Sequence, residues 1–396
     1  VQRIAGTDSP IHVVRCNDPQ RPKPLHAATA VDAGVKRTPS MPCAIDSLLS
    51  AGTPLPVRSL ATRWLLWPPP YRIRDLISEA VRLAQGSVVV DCPHLVSGMN
   101  RSMSAVRNRS ASYAQVTLVL DVLRAFSKGT GPLHAVVERV ARHESHVNAP
   151  VDVEATIQQV SKMVEGAEPW AVPWAPAMSH PMLRQHPNLR VAFNEMVTRT
   201  EQHMPRVNAA LVSAERAEMA QRRNEVAQEV VGCFPDDCNP TFDVANSPLW
   251  LRKRPDNQVG GGVPLVASKD RNYKTVAKRF TNHRVDTAVI AYLDACDAYR
   301  RACFSILREC CDCLLRDVRG VHLAHAHLLV NQLITSHVRQ AMALGWTVPE
   351  YGHAHVSMEG VWPFWMRREE AVANDVDLSD MLTLTGPNMG GKSTII

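Results

Sequence analysis

The stretch VDTAVIAYLDACDAYRRACFSILRECCDCLLRDV, residues 285–318, carries the strongest periodic signal in the chain. Its apolar residues recur at alternating steps of four and three: Val285, Val289, Tyr292, Cys296, Tyr299, Cys303, Ile306, Cys310 and Cys313. An apolar seam with a mean period of about 3.5 residues is typical of long helices that pack side by side. The pattern predicts one helix about 50 Å long, at about 1.5 Å per residue, and we expect Gly320 to end it.

A second helical pattern follows directly. Between Val321 and Leu344 the apolar residues again keep helical spacing. Gly345 is a natural C-terminal stop, and Pro349 prevents the helix from resuming. Two long helices joined by a short turn predict an antiparallel arm. Such an arm is either a plain helical hairpin or a lever that transmits movement, and periodicity does not separate the two.

The part of the chain before this arm also favours helices. Apolar residues at helical spacing follow the triple proline 68–70, and two further helical patterns cover 111–127 and 133–143. Residues 166–188 are rich in proline and tryptophan, which indicates an extended connection. A charged helical pattern then runs over about 205–231 and ends near a glycine. The chain is therefore expected to be mostly α.

Short strands and positive charge coincide between the charged helix and the arm. Residues 241–251 and 260–268 are predicted as strands around a run of three glycines. From Trp250 to Arg284 only Asp256 and Asp270 oppose nine basic residues: Arg252, Lys253, Arg254, Lys269, Arg271, Lys274, Lys278, Arg279 and Arg284. Localised positive charge favours contact with a polyanion, because each neutralised phosphate releases counterions. Charge alone slightly favours the alternative, a solvated basic loop without a partner.

The last residues carry the most specific motif. The run TGPNMGGKST, residues 385–394, contains G-x-x-x-x-G-K-[ST] and follows the alternating residues 381–384, which predict a strand. In such a loop the backbone N–H groups point at phosphate oxygens, Lys392 supplies charge to the outer phosphates, and the Ser393 hydroxyl can bind Mg²⁺. The candidate nucleotide-binding residues are Gly386, Pro387, Asn388, Met389, Gly390, Gly391, Lys392, Ser393 and Thr394, and Ser393 is also the candidate metal ligand. A glycine-rich turn that closes a hairpin is the alternative.

Composition bounds the class of protein. A chain of 396 residues with 45% hydrophobic and 21% charged residues is typical of a globular protein of two or three domains. No run of 18 apolar residues occurs, so no membrane partner is expected. The chain begins with Val1 and ends inside a motif. We therefore expect it to be a piece of a longer protein, with any targeting peptide outside it.

Ten cysteines raise the question of a zinc site. Cys310 and Cys313 have C-x-x-C spacing, and three histidines follow at 322, 325 and 327. A second C-x-x-C pair at zinc-finger spacing is missing, so the motif is incomplete. Because both cysteines fall on the apolar seam, we predict that they are small buried groups rather than metal ligands. Disulfides are not expected without a secretory context.

The letters of the phosphate loop, GPNMGGKST, resemble those of the MutS family of DNA mismatch-repair ATPases, and the resemblance extends over most of the chain. Thr53-Pro54 followed by Arg63-Trp64-Leu65-Leu66 is similar to the opening of that family's helical core. The other similar stretches are Arg279-Phe280-Thr281, Gly345-Trp346 with Pro349, and Asn374-Asp375. Residues 65–71 and 360–365 resemble the organellar branch of the family described in plants.

The resemblance implies a ring-shaped dimer that encloses DNA, in which lever helices join a DNA clamp to paired ATPase sites. The implied fold is mostly α, with a helical core, long antiparallel lever helices and a small β-containing clamp, followed by the start of a truncated α/β ATPase domain. The implied organisation is an irregular segment 1–40, core 41–165, a Pro/Trp-rich connection and lever start 166–204, clamp 205–284, lever helices and second core part 285–348, and ATPase start 349–396.

The same resemblance implies cofactors and partners. ATP and Mg²⁺ would bind at the phosphate loop. Double-stranded DNA, mismatched or branched, would be the polyanion, held by backbone contacts from Arg252, Lys253, Arg254 and Lys274 without base reading. A second MutS-type subunit, identical or different, would complete the dimer. A mitochondrion or other organelle is the expected compartment, and the nucleus is the alternative.

The chain also departs from the family's pattern. Ala371 stands where relatives often place an aromatic residue that stacks on adenine, and Trp362 stands where many have histidine. Adenine selectivity is therefore less firmly implied than phosphate binding. Phe193-Asn194-Glu195 has the letters of the family's mismatch-reading motif but lies in mid-chain, so we interpret it as coincidence. The acidic strand that positions metal and attacking water is not among these residues, and the chain alone is expected to show no ATPase activity.

Two other functions remain open. One is a MutS-like clamp that binds branched or recombining DNA without reading mismatches. The other is a different P-loop ATPase with coiled arms. Proteins of that kind place the phosphate loop ahead of the arms, whereas here the arms come first, which disfavours this reading.

Overall fold

The computed structural model describes residues 24–32, 34–35, 43–86, 92–167, 181–234, 239–243, 247–251, 265–269, 274–349, 356–364, 366 and 368–378. The chain divides into two compact units. Unit 1 comprises Val1–Met99, Asp121–Val151 and Arg319–Ile396, and unit 2 comprises Asn100–Leu120 and Asp152–Val318. Helices predominate in both, and the strands among the described residues form two-stranded antiparallel sheets. The mostly α fold is confirmed.

The helices and strands follow one another along the chain with these bounds. The helices are α1 (Ala27–Asp32), α2 (Ala44–Leu48), α3 (Leu55–Leu66), α4 (Tyr71–Gln85), α5 (Pro93–Arg107), α6 (Tyr113–Ser127), α7 (Gly131–Ser145), α8 (Glu154–Val164), α9 (Pro187–Glu201), α10 (Ser213–Cys233), α11 (His283–Arg316) and α12 (Val318–Leu344). The strands are β1 (Thr241–Asp243), β2 (Ser247–Trp250), β3 (Val266–Lys269), β4 (Thr275–Thr281), β5 (Ser357–Val361) and β6 (Asn374–Asp377).

Unit 1 is built on helices whose ends the sequence marks clearly. Pro70 precedes α4, where the missing N–H of proline costs no hydrogen bond, and Gly86 follows it. The buried stripe of α4 packs against α7. A hydroxyl cluster fixes the turn before α3 to α12: Ser50 Oγ lies 2.9 Å from Ser336 Oγ, and the Thr53 hydroxyl donates to the Ser50 carbonyl at 2.6 Å.

Unit 2 is organised around α11. The Asn282 side chain caps this helix by accepting from the Arg284 N–H at 2.9 Å, a contact that satisfies one of the unpaired N–H groups of the first turn. The predicted seam is buried almost throughout, with Leu307 taking the place of the half-buried Ile306. A straight helix of 3.6 residues per turn drifts away from a strict seven-residue repeat, which explains this change.

Within unit 2 the helices that pack on α11 most extensively are α10 and α8, which the sequence did not predict. The predicted end of α11 is wrong. Gly320 does not end α11: it lies buried within α12, and Asp317 is the one non-helical residue between the two helices. The predicted existence of both long helices is confirmed.

The strands of unit 2 lie at the start of α11. β1 pairs with β2 and β3 with β4, both antiparallel, and Leu251 forms a β-bridge with Phe280 of β4. Only Asn282 separates the end of β4 from the first residue of α11. The sheet and the long helix are therefore joined without a flexible linker.

Candidate nucleic-acid interface

The structure describes part of the predicted site. Lys274 is exposed and directly precedes β4. Arg252, Lys253 and Arg254 lie outside the described residues, as does the phosphate loop, 386–394.

Arg279 on β4 is held against an aromatic ring. Its guanidinium carbon lies 4.3 Å from the centre of the Trp250 ring on β2. A guanidinium over an indole face is attracted by the negative charge of the ring face. Trp250 is only 9% exposed, so the stack joins the ends of two strands and fixes one positive charge of the basic segment at the sheet.

The junction between β4 and α11 is tightly bonded. The Thr281 hydroxyl lies 3.0 Å from the Leu249 carbonyl oxygen and 2.7 Å from Asp286 Oδ1, and its single proton can go to one of them at a time. Burial raises the pKa of Asp286, although the bond from Thr281 acts in the opposite direction. Displacement of β4 would therefore act directly on the first turn of α11.

A bidentate ion pair links the end of α10 to the start of α11. Arg284 donates from Nη2 to Glu229 Oε1 and from Nε to Glu229 Oε2, both at 2.9 Å. The parallel geometry of guanidinium and carboxylate makes such pairs specific as well as strong. Arg284 is one of the nine basic residues counted above, and its side chain joins α10 to α11.

A buried polar network holds α11 farther along its length. Glu201, at the end of α9, is 0% exposed and accepts a hydrogen bond from the Tyr292 hydroxyl at 2.6 Å. Arg223 of α10 approaches the same carboxylate oxygen at 3.5 Å. Arg300 donates to the Thr200 carbonyl at 2.6 Å. The network thus connects three helices, and no motif in the sequence predicts it.

Burial shifts the pKa values of two side chains in and beside this network. Burial, together with the charge of Glu201, raises the pKa of Tyr292 well above its ordinary value, so the phenol stays protonated and can donate. Burial also raises the pKa of the Cys296 thiol to about 12. Both side chains are therefore neutral, and the charges of the network are those of Glu201 and the arginines.

The hairpin β5–β6 precedes the phosphate loop in unit 1. The Gly360 N–H donates to Asp375 Oδ1 at 2.7 Å, and Gly360 has a positive φ of 58° that favours glycine. Trp362 is half-buried, with the Arg368 guanidinium 5.3 Å from its ring centre. Ala371 is half-buried and is followed by Val372, which is 81% exposed. The hairpin therefore presents a tryptophan–arginine pair and no aromatic ring at position 371.

Other sequence features have clear places in the structure. Phe193 is a fully buried core residue of α9, while Glu195 pairs with Arg199 on the same helix. Cys310 and Cys313 are buried on the seam of α11, as predicted. In the described ranges no group of three metal-binding side chains converges. None of the helices described here combines the length and apolar character that a membrane span requires.

Comparison with known proteins gives one distant match over the full chain. The chain is 22% identical, over 451 aligned residues, to the DNA mismatch repair protein MSH1, mitochondrial, of Arabidopsis thaliana. The alignment covers 100% of this chain and 39% of the relative, so the chain spans about two fifths of the length of that protein. No protein-family model matches the chain.

Proposed function

We propose that the chain is part of a MutS-type DNA-binding ATPase that acts on mismatched or branched DNA. The phosphate loop at 386–394 carries this proposal, because its letters are specific and because a mismatch-repair protein matches the chain over its full length. ATP would bind at that loop with Mg²⁺ on Ser393. A second MutS-type subunit and a mitochondrial or other organellar location belong to the same proposal.

The described residues support a route from the basic segment into the long helix. β4 carries Arg279 and is flanked by Lys274, and Asn282 joins it directly to α11. Backbone phosphates bound by the basic segment would pull on β4, and the bonds of Thr281 would transmit the displacement to the first turn of α11. Phosphate contacts position a protein on DNA without reading sequence, which fits a clamp.

Nucleotide binding tests the phosphate loop. We expect the chain to bind a fluorescent ATP analogue in the presence of Mg²⁺ without hydrolysing it. Lys392→Ala should weaken that binding at least about tenfold, equivalent to about 1.4 kcal/mol, because the charge at the outer phosphates is lost. The matched control is Lys162→Ala, a lysine on α8. Equal affinity of the Lys392 variant and the parent would contradict the proposed nucleotide site.

Salt dependence tests the DNA contacts. If Arg252, Lys253 and Arg254 each neutralise a phosphate, replacing all three by alanine should reduce the slope of log K against log salt by about 2.7, since each contact contributes about 0.9. Lys274→Ala should reduce it by about 0.9. Fluorescence anisotropy with a 30-base-pair duplex measures the slope, with the exposed Arg139→Ala on α7 as control. Unchanged slopes would show that these residues do not contact the DNA backbone.

The same assay separates the two DNA-binding functions. A duplex with one mismatch and a four-way junction are compared with the perfect duplex at one salt concentration. Preference for the mismatch supports repair, and preference for the junction supports a clamp for branched DNA.

A further inference from the structure

The long helix α11 carries a second periodic stripe on the side opposite its buried seam. The residues of this stripe follow one another at alternating steps of three and four, and all of them are exposed: Thr287, Ile290, Asp294, Asp297, Arg301, Phe304 and Arg308. This spacing is typical of helices that pack lengthwise against a neighbour. Because the whole stripe is exposed, no element among the described residues covers it.

Two members of the stripe are large apolar side chains. Ile290 is 53% exposed and Phe304 is 50% exposed. They are about four helical turns apart and therefore lie on one side of α11. Single exposed apolar residues are ordinary on protein surfaces, so these two alone do not identify a partner. The charged residues between and beside them do.

The unpaired charges of the stripe are separated by sign along the helix. Asp294 comes first, Arg301 follows two turns later, and Arg308 follows two turns after that. None of the three forms an ion pair or a side-chain hydrogen bond with another residue that the structure describes. Asp297 differs, because it pairs with Arg300 at 2.7 Å. The stripe therefore offers a partner one unpaired carboxylate followed by unpaired guanidinium groups.

A second, antiparallel copy of α11 satisfies the charges and the apolar residues in one register. Pairing Asp294 of each copy with Arg301 of the other puts a twofold axis midway between residues 297 and 298. Pairing Ile290 of each copy with Phe304 of the other puts the axis at residue 297, which is only about 0.75 Å away along the helix. A parallel copy would place each charge against its own equivalent, and like charges in contact are unfavourable.

The residues around this axis allow the two helices to approach. Ala298 is small and half-buried, and small side chains at a crossing permit a short distance between helix axes. The two Asp297 carboxylates would come close to each other, but each is already paired with Arg300 of its own helix. At both ends of the contact Arg308 would lie opposite Thr287, which carries no charge.

We propose that a second copy of this chain packs on the exposed stripe of α11 in an antiparallel, twofold-symmetric contact. In such a contact the same surface serves both copies. The Asp294–Arg301 pairs set direction and register, and the Ile290–Phe304 contacts bury apolar surface. The contact is separate from the proposed nucleotide site and DNA contacts, since none of their residues lies on the stripe.

Charge reversal tests this contact in the full chain. Sedimentation velocity without nucleotide, from about 1 to 100 μM protein, should show a reversible equilibrium between monomer and dimer. Asp294→Arg and Arg301→Asp should each weaken the dimer at least tenfold, because each change replaces two attractive pairs by two repulsive ones. An equimolar mixture of these two variants should regain the affinity of the parent, since opposite charges again face each other. The chain that carries both substitutions should regain it as well.

Further variants separate this contact from general effects of charge and hydrophobicity. Phe304→Ser should weaken the dimer at least fivefold, whereas Val191→Ser, at a 61% exposed valine on α9, should leave it unchanged. Glu309→Arg reverses an exposed charge of α11 that lies off the stripe and should also have no effect. Circular dichroism checks that every variant folds. The proposal is overturned by a parent that stays monomeric up to about 100 μM, by a dimer insensitive to both charge reversals, or by a mixture of the two reversed variants that does not associate.

Discussion

Glu201→Ala should lower the free energy of unfolding of unit 2 by about 3 to 5 kcal/mol. The substitution removes the acceptor of the Tyr292 hydroxyl and takes the Glu201 carboxylate away from Arg223, whose side chain is 15% exposed. Removing one partner of a buried ion pair costs about 3 to 5 kcal/mol, because the remaining charge is left uncompensated. Urea unfolding followed by far-ultraviolet circular dichroism measures the change.

Two comparison variants show whether the buried charge is responsible. Glu195→Ala changes the same residue type on the same helix, but its pair with Arg199 is at the surface, so the expected cost is below about 1 kcal/mol. Tyr292→Phe removes one hydrogen bond to a charged group, which costs about 1.5 to 3 kcal/mol. A Glu201→Ala variant no less stable than Glu195→Ala would show that the network does not hold the three helices together.

Periodicity predicted the long helices correctly but did not identify the helices of unit 2 that pack on α11. The seam of α11 is visible in the sequence because burial on one side requires apolar residues every three or four positions. The seam does not reveal which helix packs against α11. α10 does so with a stripe that includes Met219, Val226 and Val230, but its many charged residues made it look like a surface helix.

The helix α9 was missed for a local reason. It begins at Pro187, which the sequence analysis counted as part of a proline-rich connection. Proline at the first helical position is favourable, since its fixed φ suits the helix and its missing N–H has no helical partner. The apolar residues that follow, among them Leu189 and Phe193, are buried. Their helical spacing was the signal that could have identified the element.

Two parts of the candidate site could be predicted from the sequence. The basic residues are recognised by their clustering along the chain, and the phosphate loop has a fixed sequence pattern. Which basic residues are already engaged depends on tertiary contacts: Arg279 stacks on Trp250, and Arg284 pairs with Glu229. Glu201 could not be recognised either, because a single glutamate at a helix end looks like an ordinary surface residue.

A pair of histidines, of which His327 is buried and His134 half-buried, makes unit 1 sensitive to acid. The rings of His134 and His327 are 4.4 Å apart, and Phe126 packs edge-on against His327 at 5.3 Å. Burial, together with the proximity of His134, lowers the pKa of His327 to about 3. Burial and the charge of His322 lower the pKa of His325 to about 4. Neither His325 nor His327 has a hydrogen-bond partner at Nε2 among the described residues.

The free energy of unfolding of unit 1 should therefore fall as the pH drops below about 6.5, the ordinary pKa of histidine. A base whose pKa is lowered by folding is neutral in the folded state and takes up its proton on unfolding, so its contribution is complete above 6.5 and declines towards the folded pKa. For His327 the decline is at most about 1.4 kcal/mol per pH unit, down to about pH 3.

His327→Phe should remove this part of the pH dependence while keeping a ring against Phe126. His203→Phe, at an exposed histidine, should leave the pH dependence unchanged. Urea unfolding at pH 7.5, 6.5 and 5.5 compares the three proteins, and identical pH dependence in the parent and the His327 variant would show that folding does not lower the pKa of this imidazole.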